Sequence, residues 1–269
     1  MRTADVKIDA KTLRDRSARL DTTGIDFDTF ASQPVSPSGL RCLRYIHDVE
    51  FHTVCYLRDL LMTSAHRDPD ITSFLTFWNY EEYWHGEAIA RVLAAHGEEA
   101  DAVRVAAMRK KLTVKDKLSP LLHGLGSLLA GDSWVAVHMT WGAINEWTTQ
   151  AAYARLAARE GNPVLGELLH RIMRQEGRHI DFYASESARR LESDSRAQKI
   201  TRLALRKFWS PVGAGVMPKA EVGHLTNYLF ADEEGRATVA RLDRHVDRLP
   251  GLSGLKLLET SVDRYAVAA

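Results

Sequence analysis

Two stretches decide the reading of this chain: EEYWHGEA over residues 81–88 and QEGRHIDF over residues 175–182. Each carries a Glu-x-x-His pair, Glu82 with His85 and Glu176 with His179, and the spacing recurs in Glu167 with His170 and Glu221 with His224. With 16 Glu and 11 His in 269 residues, chance supplies fewer than one such pair. Helix phase separates the four. At about 100° per residue, positions three, four, seven and eleven apart share a face. Glu82 and His85 fall in line with Leu75, Trp78 and Ile89, and Glu176 and His179 with Leu165, Leu169, Ile172, Met173, Ile180 and Tyr183. Both pairs sit in the middle of an apolar stripe. Glu167 is half a turn out of phase with Glu176, so Glu167 and His170 are expected to face water. Glu221 and His224 lie among Lys219, Gly223 and Asn227, with no such stripe.

Two single glutamates extend the pattern. Glu50 is flanked at helical spacing by Leu43, Ile46, Val54 and Leu57, and Glu146 by Met139, Gly142, Ala143, Thr149 and Tyr153. Glu50 precedes Glu82 by 32 residues and Glu146 precedes Glu176 by 30, so the chain reads as a duplicated helix pair, each half carrying Glu and then Glu-x-x-His. Four carboxylates cannot be buried together unpaired, because desolvation costs several kcal/mol per ion and their repulsion adds to it. Two divalent cations would neutralise them. Imidazole and carboxylate donors without thiolate suit iron, with manganese as the other fit. The competing reading, six solvated side chains, has to explain why all six fall on the apolar side.

The rest of the composition is ordinary. Lys and Arg number 36 against 35 Asp and Glu, for a net charge of +1, and 45% of residues are hydrophobic. That balance excludes a global polycation for coating nucleic acid and an acidic disordered chain. Two cysteines, Cys42 and Cys55, with no CxxC pair, cannot build a disulfide scaffold or a cysteine-only metal site. The opening MRTADVKIDAKTLRDR is charged where a signal peptide is apolar, and the most apolar stretch, 118–144, is interrupted by Gly, His and Asp. A cytoplasmic protein with no membrane span is the expectation.

Proline, glycine and capping residues divide the chain into helical blocks, and no period-two run argues for a sheet. The expected fold is all-α: an N-terminal extension over 1–38, a four-helix bundle over 39–193, and a C-terminal helical extension over 194–269 packed on it. The long helices are placed at about 39–64, 68–96, 132–160 and 162–191, opened by Asp68-Pro69, by Asp132 or Ser133, and by Asn162-Pro163. A short helix is expected over 9–20, a loop over 21–38, and a crossover of one or two short helices between the second and third long ones. Leu118 onward reads as a turn before the third long helix. Further helices are expected near 195–208, 218–230 and 235–248.

At WNYEEYWHGEAI and QEGRHIDFYASES the chain resembles the soluble acyl-carrier-protein desaturases, ferritin-like di-iron proteins, over about residues 40–218. The first stretch is similar to that family's EExxHG segment and the second to its ExRH segment. The resemblance implies a ferritin-like bundle whose metal ligands are Glu50, Glu82, His85, Glu146, Glu176 and His179, holding two Fe ions, with Thr149 beside their oxygen-binding side. It also implies oxygen-dependent removal of hydrogen from an acyl chain carried by acyl-carrier protein, electrons from a ferredoxin, and a homodimer. Two positions depart from the family: Gln175 stands where Asp commonly partners the first ligand His, and Trp84 where Arg is usual. The same framework also serves hydroxylases and other oxygenases, and ferroxidases or peroxide scavengers of the ferritin type.

Other residues have plainer readings. The basic run Arg109, Lys110, Lys111, Lys115 and Lys117 would dock an acidic carrier or end a solvated helix. Trp78, Trp141 and Trp147 lie near ligands in sequence and read chiefly as packing, as does Tyr183. His47, His52 and His138 fall off the metal-facing phase.

Overall fold

The helix boundaries follow from local capping chemistry. In a computed structural model, which describes residues 15–100, 102–110 and 114–266, no strand is formed among the described residues. Helix α1 spans Pro37–Leu61; the Ser36 hydroxyl accepts the Gly39 N–H, and Pro37 needs no partner in the first turn. Helix α2 spans Pro69–Ala95, where the Asp68 carboxylate accepts from Asp70 and Ile71. The crossover holds two helices, α3 (Ala102–Lys110) and α4 (Val114–Ala130). Helix α5 spans Asp132–Glu160 and stops at Gly161, whose φ of +60° is left-handed. Asn162 then caps α6, Pro163–Ser193, through the N–H groups of Val164 and Leu165.

Three local expectations are corrected. The stretch from Leu118 to Ala130 is helix rather than turn: Pro120 falls in its second turn, and Gly126 is small enough for the Trp134 ring to lie against it. That helix leaves Leu121, Leu125, Leu128 and Leu129 exposed. The cap of α5 is Gly131, without a side-chain bond, because Ser133 is turned to the Asp194 carboxylate at 2.8 Å. The loop over 21–38 contains a 3-10 helix, Phe27–Ala31, capped by Asp26. Of the helix expected over 9–20, residues 9–14 lie outside the described residues; Asp15 and Arg16 are helical and residues 17–20 are not.

The four long helices pack against one another, α1 on α2, α5 on α6, α2 on α6 and α1 on α5. Their inner faces bury Leu43, Ile89, Ile144, Leu169 and Ile172, each worth about 1.5–3 kcal/mol removed from water. Toward the other end Phe74 stacks on Phe182 at 4.0 Å, beside Trp78, Met139 and Tyr183. Gly142 lets α5 meet α6 there: any Cβ would run into the Tyr183 ring.

Four further helices follow: α7 (Ser195–Phe208), α8 (Lys219–Phe230), α9 (Glu233–Asp247) and α10 (Leu257–Ala266), the last not expected from the sequence. They pack on α1 and α5 and extend the same core through Leu205, Leu229, Val246 and Leu258. Arg155, 4% exposed, ties them down by donating to the Leu229 carbonyl at 3.0 Å and to Asp232 at 2.7 Å. No helix among the described residues is long and apolar enough to cross a membrane.

Candidate metal centre

Each long helix brings its in-phase acidic or imidazole side chains to the same interior point. Glu50 comes from α1, Glu82 and His85 from α2, Glu146 from α5, and Glu176 and His179 from α6; none is more than 6% exposed. They form two groups that could each hold a metal ion. Glu50, Glu82, His85 and Glu176 make one, and Glu82, Glu146, Glu176 and His179 the other; within a group the ligand atoms all lie within 4.8 Å of one another. Glu82 and Glu176 belong to both. All six side chains expected from helix phase are therefore together, while Glu167 and His170 face solvent and Glu221 pairs with Arg41 at 2.8 Å.

The histidines are oriented alike. Nδ1 of His85 lies 3.2 Å from Glu176 and 3.5 Å from Glu82, and Nδ1 of His179 lies 2.8 Å from Glu176 and 3.2 Å from Glu82. Each Nε2 points away, His85 to the Gln175 side-chain oxygen at 2.9 Å and His179 to the Glu81 carboxylate at 2.8 Å. An outward acceptor of this kind fixes ring orientation and tautomer in metal-binding histidines. Glu81 and Gln175 each stand one residue before a shared glutamate and serve the histidine of the other helix. The Ala18 backbone joins them, its N–H donating to Glu81 at 3.2 Å and its carbonyl accepting from Gln175 at 3.1 Å. Arg178 adds a 2.6 Å bond to Glu81. Trp84 supports the same segment, with the Arg19 guanidinium 4.2 Å over its ring.

The donor set fits a cation on the evidence of its unmet bonds. His85 Nδ1 and Glu176 Oε1 are buried without a hydrogen-bond partner, although only 3.2 Å separates them. Their directions do not meet as donor and acceptor, as expected of two lone pairs aimed at shared space. Single bonds set the outer carboxylates: Trp78 Nε1 donates to Glu146 at 2.9 Å and the Tyr153 hydroxyl donates to Glu50.

Taken alone, the six side chains shift one another's titration in opposite directions. Burial, and then Glu82, push Glu50 well above the usual carboxyl range; burial, and then Glu176, do the same to Glu146. Burial opposes ionisation of Glu82 and Glu176 as well, but hydrogen bonds from Glu50 and the histidines bring Glu82 well below its ordinary value, and His85 and His179 bring Glu176 below. Burial would lower the histidines, yet the carboxylates around them raise His85 to about 10 and His179 well above its ordinary value.

The carboxylate side opens onto space. Glu50, Glu82, Glu146 and Thr149 border a cavity roofed by Val212, Gly213 and Val216. Gly213 has φ +81°, and a Cβ there would lie 2.6 Å from the Tyr45 hydroxyl, which donates to the Val212 carbonyl at 2.5 Å. Glu50 and Thr149 also border an apolar cavity walled by Ile46, Ala152, Phe230, Leu242 and Val262, with about 750 Å³ of atom-free space, open water included. A third cavity, under the crossover, runs from Glu50 past Phe51 and Tyr83 to Arg109 and Lys110.

Several roles differ from the plain readings of the sequence. Trp78 is a hydrogen-bond donor to the cluster as well as packing, and Trp141 and His52 border the carboxylate cavity. Trp147 packs on His245, and His47 and His138 are buried away from the six. Tyr183 is fully buried. In the basic run, Arg109 donates to the Phe51 carbonyl at 2.6 Å; Lys111 and the side chains of Lys115 and Lys117 lie outside the described residues. Glu81 and Arg178 do not follow from phase, and Tyr153 follows from it only as part of the apolar stripe around Glu146. The duplication itself holds a signal for Glu81, which occupies in EEYWH the place of Gln175 in QEGRH.

No protein-family model, curated protein or solved structure matches the chain.

Proposed function

We propose that the protein is an oxygen-dependent di-iron oxidoreductase acting on an aliphatic acyl chain, with the four long helices forming a ferritin-like bundle whose one long connection is α3 and α4. The observation that carries this reading is the placement of Glu50, Glu82, Glu146 and Thr149 on a cavity that shares Glu50 and Thr149 with an apolar one, while both histidines are backed by protein. A storage or scavenging centre needs ligands; it does not need an apolar chamber on their open side.

Two iron ions held by the six residues would supply oxygen reduction and the oxidising power to take hydrogen from carbon. The protein's own part is positioning and exclusion. Ile46, Ala152 and Phe230 seat an apolar chain, Glu50 and Thr149 mark where it passes closest to the ligands, and the turn at Val212–Val216 keeps bulk water from the carboxylates. Thr149 borders the same space and brings to it a hydroxyl able to hold or pass a proton. Desaturation of a chain presented free or on a carrier protein is the leading form of the reaction. Hydroxylation differs only in where the reacting carbon is held.

Intact mass measurement of acyl substrates after exposure to iron-loaded, reduced protein and oxygen tests this. Loss of two hydrogens supports a desaturase and gain of one oxygen a hydroxylase. Oxygen consumed with every acyl chain unchanged overturns the acyl reading in favour of a ferroxidase.

A further inference from the structure

The lining of the apolar cavity includes two side chains that do not belong to an apolar wall. Trp209, 9% exposed, and Ser261, 7% exposed, both border it, and Trp209 Nε1 and Ser261 Oγ are buried without a hydrogen-bond partner. An indole N–H can only donate. Leaving such donors unmet costs roughly 1–3 kcal/mol each, so their persistence points to an acceptor supplied from outside the chain.

The same two residues border a second pocket, lined by the last turn of α7 and by α10. Its lining includes Arg206 and Arg264 and no acidic residue. The apolar cavity thus shares Glu50 and Thr149 with the carboxylate cavity, and two neutral donors, Trp209 and Ser261, with a pocket that carries two guanidiniums. That is the polarity of an aliphatic chain with an anionic head. The cavity under the crossover also has cations, Arg109 and Lys110, but Glu87 lies in its wall and Arg109 is engaged with the Phe51 carbonyl. A negative head group there meets repulsion as well as attraction.

We propose that Arg206, Trp209, Ser261 and Arg264 form a head-group site for an anion-headed aliphatic substrate, whose chain runs inward through the apolar cavity to Glu50 and Thr149. The inference rests on the reading that an aliphatic chain occupies that cavity. The anion is either the carboxylate of a free fatty acid or the phosphate of an acyl-phosphopantetheine arm. Trp209 and Ser261 donate to an oxygen of the head, Arg206 and Arg264 supply its countercharge, and the carbon brought to the ligands is set by the distance from that anchor.

Calorimetric binding to the iron-loaded protein tests this, with a graded series of straight-chain alkanoates, their methyl esters, and acyl-phosphopantetheines as probes. Carboxylates are expected to bind at least about tenfold more tightly than the matching esters. The double variant Arg206→Gln, Arg264→Gln is expected to remove that advantage while leaving ester binding, iron content and helix content unchanged. Trp209→Phe is expected to weaken carboxylate and ester alike. If the acyl-phosphopantetheine is the tighter ligand and shows the same arginine dependence, the head is the phosphate; if the alkanoate is, the head is the carboxylate. Equal binding of acid and ester, or loss of the advantage in Arg109→Gln, Lys110→Gln instead, overturns the site. A protein that shows the arginine-dependent preference but takes up no iron would retain this inference and sink the proposed function. One that turns over acyl chains without the preference would do the reverse.

Discussion

The carboxylate of Glu81 lies 2.8 Å from Nε2 of His179, on the ring edge opposite the one that faces Glu176 and Glu82. His85 has the neutral Gln175 in the equivalent place, so the two halves of the cluster differ in basicity although they are alike in geometry. Glu81→Gln should bring the His179 half down to the level of its twin, lowering metal affinity at that half by about 10–100-fold. Competition against a chelator, with circular dichroism to show an intact fold, measures it. Unchanged affinity would mean that Glu81 is held there for packing with Arg178 alone.

The sharing of Glu82 and Glu176 sets a stoichiometry. Glu50→Ala strips a ligand from one group only, and Glu146→Ala from the other, so each should leave about half the wild-type metal. Glu82→Ala and Glu176→Ala remove a ligand from both groups and should leave little of either ion. Metal analysis after gel filtration distinguishes these outcomes. Wild-type metal content in the Glu82 or Glu176 variant would show the ligand assignment to be wrong.

Metal uptake has to displace protons. Burial and neighbouring carboxylates raise Glu50 and Glu146, and the carboxylates around them raise His85 and His179, so loading the ions should release protons, His85 giving up one throughout the neutral range. Affinity should therefore climb as pH rises toward the His85 value of about 10, and titration in buffers of different ionisation heat counts the protons directly. The chelator-treated protein has its own pH signature. A histidine whose folded value lies above its unfolded one contributes stability that is present below the unfolded value and lost as pH rises toward the folded one. For His85 that window runs from about 6.5 to about 10, and the melting temperature should fall across it. Metal-loaded protein, whose histidines are deprotonated throughout, should not show the decline.

Thr149 borders both the carboxylate cavity and the apolar one, whereas its neighbour Thr148 spends its hydroxyl on the Ile144 carbonyl. Thr149→Val keeps the volume and removes the hydroxyl. Metal content should be unchanged and product formed per oxygen consumed should fall by about tenfold or more, with Thr149→Ser restoring it. Equal loss in the Ser variant would mark the position as a packing one.

Helix phase was enough to bring six separated residues to one point, because a buried charge on an apolar stripe has few ways to be satisfied. Glu81 escaped the same argument because it is 100° around the helix from Glu82, on a flank that a lone helix would show to water. It is buried at 2% because α6 and the segment around Ala18 cover it, and those contacts are tertiary. The helix over 114–130 was obscured by Pro120 and two glycines, whose local cost is outweighed by packing against Trp134 and neighbouring elements. Helix α10 was missed because three buried residues, Leu257, Leu258 and Val262, give too short a stripe to read. The cavities belong to no single segment and have no signature in the sequence at all.

One residue far from the ligands in sequence holds both of their outer partners. Ala18 donates its N–H to Glu81 and its carbonyl accepts a hydrogen bond from Gln175, so the segment around Ala18 is moored at two points, one for each half of the cluster. A protease that clips between them and the 3-10 turn at Phe27 cuts both moorings together. The rate of that clip becomes a clock on the interior, slow while both histidines are held and faster once either partner lets go.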